Sequence, residues 1–389
     1  MANALGPAST SWPIVPYVNS SWTLTDSEGC AASVQPGKFK VFGKMGDLML
    51  KRGDVVEVRS PDEILATLDD NACRDAMPFM PEMIKYSGKR FTVSHRAEKI
   101  CDTVREGGPP RSRRMRDTVL LDDLRCDGSG HDGCQAGCRI YWNESWLRRV
   151  DPNSEPRAES DGLTELAALT SKSTRAGADG SNSIYRCQAT EASRASELIG
   201  KYDLRHHIRE LTTGNVKLSL FLRVAVRALG GHIGRRLRII GYVPMRSPLA
   251  SRLGRRSEPV KMRPPLNLQP GEWVEIRSPN EIEPTLNDKG KTRGLSFDQE
   301  MKPYCGGRYR VQDRVEQIID ERSGKMIHIT SDCLILDGVV CSGHHSMRRW
   351  FCPRAIYPYW REAWLRRVEG PSAMLPGGSE ADAPNYGSG

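Results

Sequence analysis

Gly53-Asp54-Val55-Val56-Glu57-Val58-Arg59-Ser60-Pro61 returns as Gly271-Glu272-Trp273-Val274-Glu275-Ile276-Arg277-Ser278-Pro279, 218 residues further on. In both versions apolar and charged residues alternate, as in a half-buried strand, behind a Gly-Asp or Gly-Glu turn. Ser-Pro then opens a short capped helix, with proline at its first position. The same offset links Glu82-Met83 to Glu300-Met301, Arg90 to Arg308, Asp102 to Asp320, and Trp146-Leu147-Arg148-Arg149-Val150 to Trp364-Leu365-Arg366-Arg367-Val368. About a hundred residues is too long for a solenoid unit, so the pattern reads as a duplicated domain.

Six segments follow from this reading. Residues 1–45 mix Ser, Pro, Gly and Thr without a period and read as a disordered arm. Residues 46–151 are the first β-domain copy, 152–183 a linker, 184–266 a basic helical segment, 267–368 the second copy and 369–389 a disordered tail. Short strands joined by irregular loops predict a mainly β chain, with two tandem SH3-like small barrels flanking the helical middle. Trp142 and Trp146, repeated as Trp360 and Trp364, read as hydrophobic clasps closing each copy.

The formal charge of +9 is concentrated: residues 201–265 hold 15 Lys/Arg against 3 Asp/Glu. An anionic partner for that stretch, nucleic acid or membrane surface, follows as an expectation. Leu218 to Leu229, with Arg223 and Arg227 on one face, has the pattern of a basic amphipathic helix; packing between the two copies is the favoured reading. No run of eighteen apolar residues and no secretory pattern at the start are found, which places the chain in the cytoplasm by default.

Each copy carries a cysteine/histidine cluster. The first has Cys101, then Cys126, His131, Cys134 and Cys138 in a loop with glycines at 128, 130, 133 and 137. Eleven clustered cysteines in a chain without a signal favour metal ligation over a disulfide framework. Zinc takes four ligands in a tetrahedron at about 2.0–2.3 Å. The expected set is Cys101, Cys126, Cys134 and Cys138, with His131 in reserve; an iron–sulfur cluster on the same thiolates is the minor alternative. In the second copy Cys341, His344, His345 and Cys352 form a weaker set, because Ile319 and Ile356 stand where Cys101 and Cys138 would be.

Four protein ligands close a site, so structural zinc in a binding or scaffold protein with a protein partner is the leading functional expectation. An enzyme is the rival reading, through an open metal site or through Cys187 as a thiol nucleophile before a helix. Nucleic-acid binding through the basic middle is a third. No phosphate loop, dinucleotide fingerprint, hydrolase elbow, His-Glu-x-x-His or His-x-Glu pairing occurs.

Glu57-Val58-Arg59-Ser60 with Glu63-Ile64-Leu65-Ala66-Thr67-Leu68-Asp69, Met77-Pro78-Phe79-Met80-Pro81-Glu82-Met83, Cys101-Asp102-Thr103, Arg125-Cys126-Asp127-Gly128 and Cys134-Gln135-Ala136-Gly137-Cys138 before Trp142 carry a resemblance. Together with Tyr185-Arg186-Cys187-Gln188-Ala189-Thr190-Glu191, they resemble an uncharacterised bacterial protein family. The resemblance implies membership and brings no activity with it.

Overall fold

A computed structural model describes residues 49–104, 111–151, 162–176, 183–200, 203, 205–226, 264–345 and 350–370. The repeated stretch forms a strand in both places, Val55–Val58 and Trp273–Ile276. Each is the second-to-last strand of an antiparallel sheet. The first sheet runs in the order Arg139–Asn143, Thr118–Arg125, Arg90–Arg96, Val55–Val58, Leu147–Arg149. The second runs Leu334–Leu336, Arg308–Arg314, Trp273–Ile276, Leu365–Arg367, and Trp360 bridges to Leu334 where the outermost strand of the first sheet would lie.

Registers match residue for residue. Val56 pairs with Phe91 and Arg149, and Val274 pairs with Tyr309 and Arg367. The Ser60–Glu63 capping box has its counterpart in Ser278–Glu281, each carboxylate accepting the serine N–H at 3.2 and 3.1 Å. Trp146 donates to the Thr67 hydroxyl and Trp364 to that of Thr285, at 3.1 and 3.0 Å. All four closing tryptophans are fully buried. Phe79 meets Trp142 and Trp146 edge-on, and Phe297 does the same for Trp360 and Trp364. Such a cluster contributes about 0.5–1.5 kcal/mol per aromatic pair beyond its area.

The expectation of SH3-like barrels flanking a helical middle is overturned. Each sheet is an open half-barrel. Arg139–Asn143 and Leu147–Arg149 are neighbours in sequence yet lie on opposite edges of the first sheet, joined by the Glu144–Trp146 turn. Register shifts between Val93 and His95, and between Leu120 and Arg125, bend the sheet. Trp142 and Trp146 are buried in the core of this sheet, packed on Phe79.

The middle is mixed rather than helical. Ser196–Leu198, read as helix from composition, is a strand pairing with Ser112–Met115, which in turn pairs with Ile100–Cys101. Ile184–Tyr185 pairs with Arg175–Ala176, and Gln188–Glu191 is a single helical turn. The helices are Leu163–Ser173, within the stretch read as linker, Arg205–Thr212, and residues 218–226. Val224 is buried and Phe221 stacks on Phe351, while Leu218, Leu222 and Val226 on the same helix are exposed. No helix among the described residues is long and apolar enough to cross a membrane. Most of the basic run falls at residues 227–263, outside the described residues.

The two copies face one another through exchanged contacts. Cys101 donates its backbone N–H to Cys352 Sγ at 3.2 Å, and Ile319 donates its own to Cys134 Sγ at 3.3 Å. Positions 101 and 319, and 134 and 352, are equivalent under the offset, so the contact is isologous, as across a twofold axis.

Candidate metal centre and the adjoining cavity

The loop from Cys126 to Cys138 connects two adjacent strands of the first sheet. Its ends are joined by the Cys126 N–H donating to the Cys138 carbonyl at 2.8 Å. Inside it, His131 and Gly133 both donate to the Gly128 carbonyl, at 2.9 and 3.0 Å. Gly128 has φ +74°, and a Cβ there would stand 2.1 Å from the Cys134 carbonyl oxygen, so this turn exists only with glycine.

That coil drives His131 and Cys126 down onto Glu82, which projects from the Pro81–Tyr86 turn and is buried. Glu82 Oε1 accepts from Cys126 Sγ at 2.8 Å and lies 3.1 Å from His131 Nδ1. His131 Nε2 lies 3.0 Å from the Arg186 carbonyl. A carbonyl only accepts, so Nε2 carries a hydrogen and Nδ1 is directed at the carboxylate. Burial alone would raise Glu82 and lower His131. Their mutual hydrogen bond and charge outweigh it, and the net result is Glu82 lowered and His131 raised. Burial first, and then the Glu82 charge, push the Cys126 thiol up. The resting group therefore holds a carboxylate and a thiol, with the imidazole biased toward its charged form.

The ligand atoms of Glu82, Cys126 and His131 lie within 4.8 Å of one another, so this group could hold a metal ion. A divalent ion held by the carboxylate, the Cys126 thiolate and a neutral imidazole leaves the buried group without net charge, which avoids the cost of an isolated interior charge. The hydrogen bond from Nε2 to a backbone carbonyl is the outer-shell arrangement that fixes a ligating histidine. Glu82 Oε2 is buried with no hydrogen-bond partner, as at a carboxylate that lacks a cation.

The expected ligands divide. Cys126 and His131 come together. Cys134, Cys138 and Cys101 join no such group among the described residues. Cys134 and Cys138 line a cavity of about 260 Å³, together with Cys126, His131 and Cys187. Its far wall is Ile319, Glu321 and Tyr359 of the second copy. Cys101 has turned away to Cys352. Burial pushes Cys138 up to about 12 and Cys187 to about 11. Nine cysteines among the described residues carry thiols, whereas Cys73 is disulfide-bonded.

In the second copy Cys341 donates to the Ile356 carbonyl at 2.8 Å, as Cys126 does to Cys138. Glu300, the counterpart of Glu82, is engaged by the His345 N–H at 2.8 Å and the Ser342 hydroxyl at 2.9 Å. The His344 ring packs on Phe351, and Cys352 sits at the interface between copies.

Glu82 is the residue that sequence reasoning missed. Its signal was present: Glu-Met recurs at the 218-residue offset, and a repeated glutamate inside a Met/Pro/Phe run is placed for burial. No family model matches the chain, and no curated protein or solved structure matches it either.

Proposed function

We propose that this chain is a metal-stabilised binding protein, with Glu82, Cys126 and His131 holding one zinc ion. The carrying observation is the convergence of a carboxylate, a thiol and an imidazole on one buried point, with the imidazole already oriented by the Arg186 carbonyl. Mixed N, O and S donors suit zinc, and bound there it would supply a staple. It would fasten the loop to the Pro81–Tyr86 turn and, through His131, to the central segment. The partner is a protein docking on the paired copies; an anionic partner for residues 201–265 rests on charge alone.

Cobalt substitution tests the site. One thiolate ligand gives a single sulfur-to-cobalt charge-transfer band that Cys126→Ser removes and Cys101→Ser leaves intact. A band that survives Cys126→Ser rules out this ligand set.

A second reading, a metal-dependent enzyme, is favoured by one observation: three ligands, rather than four, beside a cavity that Cys126 and His131 themselves line. The thiol-enzyme reading is not favoured, since burial holds Cys187 protonated at neutral pH.

A further inference from the structure

We propose that Cys101 and Cys352 are a dithiol pair that closes into a disulfide, a covalent latch between the two copies. The inference is independent of the metal reading and uses none of its ligands.

Cys352 Sγ already lies 3.2 Å from the Cys101 backbone nitrogen, and the two thiols hydrogen-bond to each other. Both are buried, at 5 % and 7 % exposure. Their backbones are held in place from both sides. Arg354, two residues after Cys352, donates to the Cys101 carbonyl at 3.3 Å and to the Thr103 hydroxyl at 2.7 Å, and pairs with Glu321 at 2.6 Å. A disulfide needs Cβ atoms about 3.5–4.5 Å apart, which a thiol pair in hydrogen-bond contact reaches with little backbone movement. The symmetry-related place holds Cys134 against Ile319, so the bond can form at one of the two equivalent positions only. Thr103 and Ile356, close in sequence to the two cysteines, line the cavity, so closure would stiffen its walls.

Burial pushes the Cys352 thiol up, so closure needs loss of a thiol proton and is slow, and it disfavours a bulky disulfide exchange partner relative to a small hydroperoxide. One sulfur attacks a peroxide oxygen, the O–O bond breaks, and an alcohol (water, for hydrogen peroxide) leaves a sulfenic acid behind. The second sulfur attacks that sulfur, the S–O bond breaks, and water departs. Two thiols and one hydroperoxide thus give one disulfide, one alcohol and one water. The thiol protons end on oxygen, and the two sulfur electrons reduce the peroxide.

The test is a non-reducing peptide map of the full chain after graded hydrogen peroxide and alkylation. The expected result is a joined peptide containing Cys101 and Cys352, released by dithiothreitol, absent from Cys352→Ser, with a raised melting temperature in the oxidised protein. Recovery of both cysteines alkylated, oxidised to sulfinic acids, or joined to other cysteines would overturn the proposal. The wild-type map decides the matter even where Cys352→Ser folds poorly.

Discussion

Thr103 donates its hydroxyl to Glu321, and these two residues occupy the same position in the two copies. A position that touches its own counterpart marks a twofold axis, and the exchanged contacts of Cys101 with Cys352 and Ile319 with Cys134 flank it. The chain therefore packs its two halves as a homodimer packs its subunits, with the cavity between them.

This contact holds a buried charge. Arg354 is 6 % exposed and is answered by Glu321, Thr103 and the Cys101 carbonyl. Glu321→Ala leaves the guanidinium without its counter-charge and should cost about 3 kcal/mol, whereas Arg354→Met should cost clearly less. Urea denaturation of both variants checks the order. Equal losses would show that the pair contributes through packing alone.

Proton accounting follows from the shifts at the metal group. Cys126 is raised, so it is protonated in the metal-free protein at neutral pH, and His131 is protonated below its own raised value. Binding one divalent ion should release two protons below the folded His131 value and one above it, with affinity rising roughly a hundredfold and roughly tenfold per pH unit in the two ranges. Calorimetry in buffers of different ionisation enthalpy counts those protons. A count of zero contradicts the assignment.

The same pair sets a stability window without metal. The Glu82 contribution, from a lowered carboxyl, is present above the ordinary value of 4.5 and is lost as pH falls through the folded value. The His131 contribution, from a raised imidazole, is fully present below 6.5 and is lost as pH rises through the folded value. The metal-free melting temperature should decline on both sides of that window, and zinc should remove the decline on the alkaline side.

Two glycines separate folding of the loop from placement of the carboxylate. Gly128→Ala puts a methyl 2.1 Å from a backbone oxygen at φ +74°, and should cost about 1–3 kcal/mol or more and unseat the whole loop. At Gly130 the added methyl meets Glu82 Oε2 at 2.5 Å, the end of a side chain. Gly130→Ala should therefore keep the fold, seen by circular dichroism, and weaken metal binding.

Much of this was legible in the sequence, and the rest was hidden for definite reasons. The 218-residue offset located strands, capping boxes and tryptophan clasps because these depend on local residues. Barrel closure did not follow, because it depends on which edges pair, and the outer strands Arg139–Asn143 and Leu147–Arg149 do not pair with each other. Ser196–Leu198 carries helix-compatible residues, yet is extended because Met115 and its neighbours offer it a sheet edge. Loop spacing puts Cys126 and His131 in one tight turn, and the structure has both beside Glu82. Cys101 lies against Cys352 in the other copy, a contact that spacing within one copy does not reveal. Glu82 escaped because a glutamate is ordinarily solvated, and its recurrence in an apolar run was the one sign that this one is buried.

The most direct test is zinc per chain in protein purified without chelator, compared between wild type, Glu82→Gln and Cys101→Ser. The account predicts one zinc in wild type and in Cys101→Ser, and loss in Glu82→Gln. Zinc retained in Glu82→Gln but lost in Cys101→Ser, or no zinc bound by wild type even after addition, would contradict it.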